Sequence, residues 1–295
     1  MPGSSDKMIG KALASASDQV MVDLEDAVAP REKAAARRTT VEALRNSETS
    51  STPRQVRSVR INDVATGWAL DDLLALFDHD TPREDSVILP KAEAVGHVHW
   101  LDHTLTMLER RIGITEQTAI ELQIEGPAGL SIVAELIQAS TRVASVSFGP
   151  WDFLAAMQMP LPWETRVLGP ERCDTFLATI AVACRRFGVQ AMDGPHPTID
   201  DADGVAVAAG RAADLGFDGK WAIHPAQLEP INRVFTPTET AWLAAHRVID
   251  AYDEAIASGD GAVALDGVLV DEASRRLAHA TVERGRAAGL TRPTD

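Results

Sequence analysis

Short runs rich in β-branched residues alternate with amphipathic helical stretches along most of this chain, and that alternation leaves few folds open. The runs cover residues 19–24, 56–61, 86–90, 120–124, 142–148, 189–192 and 220–223, and their ends fall roughly 24 to 45 residues apart. That spacing holds one strand, one helix and two loops, so each run reads as the strand of a βα unit. Right-handed crossovers place such strands in parallel, and closure into a (β/α)8 TIM barrel is the expected end point.

The N-terminal end fits that barrel imperfectly. Ahead of the first run lies only a helical stretch, residues 7–14, behind the loop-like Pro2-Gly3-Ser4-Ser5. The first strand of an eight-fold barrel is therefore expected to be missing. Either the chain as given starts one strand late, or the barrel stays open, or another segment fills the slot.

Past Phe235 the chain exceeds a minimal barrel: a helix is expected over 241–257, a hairpin over 259–270 and a last helix over 271–288. The expected organisation is a barrel over residues 1–236 and a C-terminal helical lid or oligomerisation extension over 237–295. Such an appendage often packs on a neighbouring subunit or covers the mouth, so a homotrimer or hexamer is expected; the simpler alternative is a helix lying on its own barrel.

Composition narrows the class further. Apolar residues make up 45% of 295 positions, enough for one large core. Lys and Arg number 28 against 43 Asp and Glu, a net charge of −15, which argues against nucleic-acid or anionic-membrane partners. No apolar run reaches the roughly 18 residues of a membrane span, and the start lacks the apolar core of a signal peptide, so a cytoplasmic location is expected. Cys173 and Cys184 fall on one helical stretch, with backbones about 16 Å apart, and are read as reduced thiols.

Two acids stand where chemistry is expected. Glu125 ends the run Ala119-Ile120-Glu121-Leu122-Gln123-Ile124, and Asp152 follows Phe148-Gly149-Pro150-Trp151. Strand exits are where α/β barrels gather catalytic groups, and two carboxylates at one mouth make an oxygen-only site suited to Mg2+, with Mn2+ as a substitute. Helix caps or solvated loop acids are the plainer alternative.

Several stretches, in order, resemble the citrate lyase beta-subunit-like branch of the HpcH/HpaI aldolase/citrate lyase family. They are Val22-Asp23-Leu24-Glu25-Asp26-Ala27-Val28, Val59-Arg60-Ile61-Asn62, Ile124-Glu125-Gly126-Pro127, Phe148-Gly149-Pro150-Trp151-Asp152 and Gly219-Lys220-Trp221-Ala222-Ile223-His224-Pro225. The resemblance implies a reversible carbon–carbon lyase acting on a 3-hydroxyacyl-CoA, with a malyl-CoA or citramalyl-CoA lyase flavour. Its products are an acyl-CoA and a small 2-oxo acid, glyoxylate or pyruvate. It also implies an extra initial strand ending in Pro2-Gly3, whose loss is expected to lower stability and remove part of the coenzyme A entrance.

The resemblance assigns roles. Glu125 and Asp152 would hold Mg2+, and Arg60 would face the thioester oxygen as enolate charge develops. Glu25 and Asp26 would orient Arg60 and the metal waters; a structural ion pair between Arg60 and either acid is the alternative. Gly149, Pro150 and Trp151 form a turn whose amides are placed to grip the oxo acid's carboxylate, or an ordinary turn. Asp271 resembles the lid aspartate that acts as acid or base in an adjacent subunit, and is otherwise a good helix N-cap.

Other polar residues divide between roles. His224 is read as structural, or as a backbone contact for pantetheine. Lys7, Lys11, Lys33 and Arg37 are candidates for the coenzyme A phosphates, with solvated helix faces as the alternative. Lys91, in Leu89-Pro90-Lys91, stands where a Schiff-base lysine would in a metal-independent aldolase. A citrate lyase subunit acting on an acyl-carrier thioester, a malyl-CoA thioesterase and a degenerate non-catalytic barrel complete the alternatives.

Overall fold

A computed structural model describes residues 1–46, 55–78, 85–160 and 170–292. The chain divides into two compact units, Met1–Leu228 and Glu229–Asp295.

The first unit is built on seven parallel strands in the order β1 to β7. These are β1 Gln19–Asp23, β2 Val56–Arg60, β3 Ser86–Leu89, β4 Ala119–Ile124, β5 Val143–Phe148, β6 Gln190–Asp193 and β7 Gly219–Lys220. The helices of this part are α1 Asp6–Leu13, α2 Lys33–Asn46, α3 Trp68–Leu76, α4 Val95–Ile112, α5 Pro127–Ser131, α6 Val133–Gln138, α7 Pro150–Ala156, α8 Asp174–Phe187 and α9 Ala202–Asp214. Two of them start on oxygen-bearing side chains that accept the first free amides. Ser5 caps α1, and Asp201 caps α9 by accepting from the Gly204 amide at 2.9 Å. Gly113 and Gly188 end α4 and α8 in the left-handed conformation that glycine adopts without a Cβ clash.

One set of strand side chains is apolar and fully buried, including Val22, Val59, Val87, Leu122 and Val146. The alternate set is polar and hydrogen-bonded within itself. Gln19 of β1 donates to Ser58 of β2 at 2.7 Å and to Glu121 of β4 at 3.1 Å; Ser58 meets Ser86 of β3 at 2.6 Å, and Ser145 of β5 donates to Glu121 at 3.2 Å. In a flat sheet β1 and β4 would lie about 14 Å apart. The direct contact between Gln19 and Glu121 therefore requires a sheet curled around its polar face.

Among the described residues the sheet has seven strands. Residues 1–3 run beside β1, with a parallel bridge from Pro2 to Asp23, the Asp23 amide on the Met1 carbonyl at 2.8 Å and the Gly3 amide on the Asp23 carbonyl at 2.7 Å. The Met1 α-amino group donates to the Met21 carbonyl at 3.0 Å. Among the described residues no ladder joins β7 to this segment or to β1. The described residues thus form a curled seven-stranded parallel sheet, to which the residues ahead of β1 add one bridge.

β7 is also shorter than the 220–223 run suggests. The Ile223 amide turns away to the Gln227 side chain at 2.9 Å, and His224 caps the turn Pro225–Gln227, so the chain leaves the sheet after Trp221. The helical region after β4 is broken at Ile132 into α5 and α6. Cys173 and Cys184 are free and buried, and burial pushes their thiols up to about 11 and about 12.

In the second unit, α10 Leu228–Phe235 leads to α11 Glu239–Ser258, capped by Thr238. The strands β8 Val263–Leu265 and β9 Val268–Val270 form an antiparallel hairpin before α12 Glu272–Ala287. α11 and α12 pack through Ala245, Ile249, Ala278 and Val282, and Trp242 donates to the Val282 carbonyl at 3.1 Å. No described helix is long and apolar enough to cross a membrane.

Candidate active site

The parallel register sets Asp23 beside Arg60 at the C-terminal ends of β1 and β2. Arg60 closes a two-pronged pair on Asp23, Nε to Oδ1 at 2.8 Å and Nη2 to Oδ2 at 2.6 Å. Its remaining nitrogen, Nη1, donates to Gln123 Oε1 at 3.3 Å and lies 3.3 Å from Glu25 and 3.8 Å from Glu125. Burial opposes ionisation of Asp23, but the Arg60 pair outweighs it and holds the carboxyl below its usual range. Burial likewise works against the Arg60 charge, and the bonds to Asp23 reverse that and raise its pKa.

Asp23 is thus the principal partner of Arg60, a position expected for Glu25 or Asp26. Glu25 does approach the guanidinium, whereas Asp26 is exposed and lies 3.8 Å from Lys91 Nζ. Gln123 is likewise a contact that sequence reasoning missed. The signal for both was present in the alternation of the strands, which carries Asp23 and Gln123 to the same face as Arg60 and Glu125.

Glu125 follows the last residue of β4 and is buried, with Oε2 accepting the Lys91 backbone amide at 2.9 Å. Gly149, held by its amide on the Ile124 carbonyl at 2.9 Å, gives the carboxylate its seat. A Cβ at Gly149 would stand 2.5 Å from Glu125 Cγ and 2.8 Å from Oε1. Burial raises the Glu125 pKa to about 8; the Glu25 charge adds to this and Asp152 adds further, while Arg60 opposes it.

Asp152 occupies the first turn of α7, two residues after Pro150 starts the helix. It is exposed, and no hydrogen bond or ion pair with a described residue engages it. Pro150 brings no N–H, so the first-turn donors left over are the amides of Trp151 and Asp152.

Lys91, just beyond β3, completes the group. Its ammonium bonds Glu25 Oε1, and its backbone is left-handed with φ 47°. Burial alone would lower its pKa, but the bond to Glu25 and the surrounding acids raise it. An imine-forming amine needs the opposite shift, since it must be neutral to attack. Burial raises the Glu25 pKa as well, with Arg60 and Lys91 opposing.

Arg60, Glu25, Glu125, Lys91, Gly149 and Asp152 therefore gather at the strand exits, while Asp271 belongs to the second unit. There Asp271 caps α12, Oδ1 accepting from the Ser274 amide at 2.9 Å and from its hydroxyl at 3.0 Å. The phosphate candidates separate. Lys33 is buried, with Nζ on the Leu24 and Glu25 carbonyls at 2.7 and 2.6 Å, and so fastens the loop that carries Glu25. Arg37 is tied to Asp72 at 2.6 Å and to the Trp68 carbonyl at 3.3 Å; both side chains are spent on the fold. Lys7 and Lys11 are exposed on or beside α1. His224 is exposed and accepts the Ala226 amide on Nδ1 at 3.2 Å, the structural role expected of it.

Chemically, the mouth offers carboxylate oxygens, a seated glutamate and an exposed aspartate, a donor set that fits a hard dication such as Mg2+ or Mn2+. Among the described residues no cluster of three or more His, Cys, Asp or Glu side chains is arranged for a metal. Two carboxylates would leave the remaining positions to water or substrate oxygens.

Known proteins share both the sequence pattern and the fold. The model of the HpcH/HpaI aldolase/citrate lyase family matches residues 1–225. The chain belongs to the HpcH/HpaI aldolase/citrate lyase family. It is 36% identical to L-malyl-CoA/beta-methylmalyl-CoA lyase of Cereibacter sphaeroides, over 96% of this chain and 92% of that protein. A second HpcH/HpaI relative, (3S)-malyl-CoA thioesterase of Cereibacter sphaeroides, is 31% identical over 97% of this chain and 93% of its own length. The crystal structure of CitE from Mycobacterium tuberculosis in complex with magnesium, acetoacetate and coenzyme A matches with a TM-score of 0.76 at 28% identity, covering 97% of this chain and 96% of that one. The part matched by the HpcH/HpaI family ends at Pro225, after every strand exit described above.

Proposed function

We propose that this HpcH/HpaI family member is a Mg2+-dependent carbon–carbon lyase. It reversibly splits a 3-hydroxyacyl-CoA, such as malyl-CoA, methylmalyl-CoA or citramalyl-CoA, into an acyl-CoA and glyoxylate or pyruvate. The observation that carries this reading is the fixed guanidinium of Arg60, clamped by Asp23 and presenting Nη1 toward Glu25 and Glu125.

A base takes the hydroxyl proton, the hydroxyl oxygen becomes the carbonyl of the oxo acid as the carbon–carbon bond breaks, and the bonding pair stays on the thioester fragment as an enolate. A charge already fixed where that pair collects stabilises it without reorganisation, and Arg60 is such a charge. Glu125 and Asp152 would hold the cation, which when bound supplies Lewis-acid polarisation of the carbonyl being formed. The Trp151 and Asp152 amides at the start of α7 bind the oxo acid's carboxylate, Pro150 fixes the turn, and Glu25 and Asp26 orient the charged groups around them. Asp271, from a neighbouring subunit, handles the proton exchanged with the enolate.

The C-terminal extension would serve as lid and oligomer contact in a trimer or hexamer. The exposed Val268, Leu269 and Leu277 on β9 and α12 support this, because apolar side chains clustered on one short segment gain by being covered. The fold that goes with the reading is a (β/α)8 barrel in which residues 1–3 lie beside β1 in the place of the strand before it. The setting is the cytoplasm, in keeping with two free thiols.

Incubating the purified protein with malyl-CoA and with citramalyl-CoA, with Mg2+ and with EDTA, tests the proposal. Glyoxylate or pyruvate should form only with the cation. No oxo acid from either substrate, or release unaffected by EDTA, overturns it. Hydrolysis of a malyl thioester is the second reading, favoured by the likeness to the thioesterase, and it would release free thiol with malate and no oxo acid.

A further inference from the structure

A left-handed backbone at Lys91 is unusual for a residue with a long side chain. Among the described residues the only other non-glycine positions with positive φ are Gln158 and Asp266. Glycine would hold φ 47° at lower cost, and strain of this kind persists where surrounding contacts fix it. At Lys91 both ends of the residue are fixed to acids. The amide bonds Glu125 at 2.9 Å, and the ammonium bonds Glu25 with Asp26 at 3.8 Å.

The charges around it are uneven. Glu25, Asp26, Glu125 and Asp152 are the acids of the mouth, and Glu93 comes near as well, its Oε1 standing 2.6 Å from where a Cβ of Gly126 would lie. Against these stand, among the described residues, Arg60, whose charge is already matched by Asp23, Lys33, whose ammonium is buried on the Leu24 and Glu25 carbonyls, and Lys91. Of the two lysines, Lys91 is the one whose ammonium meets a carboxylate of the mouth, and its side chain remains about one-third exposed at the rim, 32%.

We propose that Lys91 is the built-in counter-charge of the acid cluster and sets how tightly the site takes a divalent cation, holding the acids together without the ion and weakening its capture. The inference rests on the reading of Glu125 and Asp152 as the cation's ligands. Lys91 is a positioning and charge-balancing residue in this role; its amide seats Glu125 while its ammonium opposes a second positive charge nearby. Like charges in a partly buried site repel more strongly than in water, so the effect is larger than on an open surface.

The test compares Lys91→Asn with Lys91→Arg and the unaltered chain. Asparagine accepts the left-handed backbone and keeps the amide bond to Glu125 while removing the charge, and arginine keeps the charge. Mn2+ binding is followed by the loss of the free-ion electron paramagnetic resonance signal at one pH, with melting temperatures taken in EDTA. K91N should bind Mn2+ about three- to tenfold more tightly and melt lower in EDTA, and K91R should match the unaltered chain. Equal or weaker binding by K91N overturns the inference. If the unaltered chain binds no Mn2+ at all, it is the ligand assignment of Glu125 and Asp152 that fails, a result distinct from the first.

Discussion

Asp23 and Arg60 lie opposite one another in the β1–β2 register and are joined by two bonds, at 2.8 and 2.6 Å, in a buried setting. Each fixes the other: the carboxylate stops the guanidinium from rotating, and the guanidinium keeps the carboxylate ionised. The strand pairing, and not a loop, sets their separation, so the orientation of Arg60 is a property of the sheet itself.

Replacing Asp23 with Asn removes that restraint while keeping the side-chain shape. Breaking one side of a buried pair costs about 3 kcal/mol or more, which chemical denaturation reads directly. Lyase turnover is expected to fall about 10- to 100-fold, as for other residues that orient a catalytic group. Unchanged turnover would mean that Arg60 does not depend on Asp23 for its aim.

Gly149→Ala tests the seat of Glu125. The added methyl meets Glu125 Cγ at 2.5 Å, too close for both to stay, and the carboxylate must move. Isothermal titration with Mn2+ should show affinity reduced by about 10- to 100-fold with an unchanged circular dichroism spectrum. Full affinity would show that Glu125 is not where the ion binds.

Glu125 gives the pH dependence a definite sign. Its pKa is raised to about 8, so below that pH it is protonated in the cation-free protein and must lose the proton before binding. Apparent Mn2+ affinity should rise by up to about tenfold per pH unit toward 8 and level off above it. A flat profile between about pH 6 and 9 contradicts the assignment.

Asp271 can be divided into its two roles. Asparagine caps a helix as well as aspartate does, so Asp271→Asn should leave the melting temperature unchanged, while Asp271→Ala should lower it. Both should lower turnover by about 10² or more if the carboxylate handles a proton. Normal turnover by D271N would reduce Asp271 to its cap on α12.

Much of this was legible in the sequence because period and position carry it. β-branched runs gave six of the seven parallel strands within a residue, and Asp271 announced the start of α12. Glu125, Asp152 and Arg60 could be chosen because they follow or end such runs. Partners across strands were harder. That Arg60 pairs with Asp23 more than with Glu25 depends on a register no single segment states, and Lys33, by sequence a phosphate candidate or part of a solvated helix face, is buried against two carbonyls only once the loop after β1 folds back. The two-residue length of β7 was hidden too, since the competing acceptor for the Ile223 amide is a side chain, Gln227.

The buried thiols of Cys173 and Cys184, pushed up to about 11 and about 12, carry a practical consequence. Both side chains are buried and little thiolate forms near neutrality, so slow labelling of the folded protein by maleimides is the expected outcome. A single replacement such as Leu277→Cys on the exposed side of α12 would then be the sole point of labelling. A fluorophore attached there would test whether substrate moves the last helix, with little background to subtract.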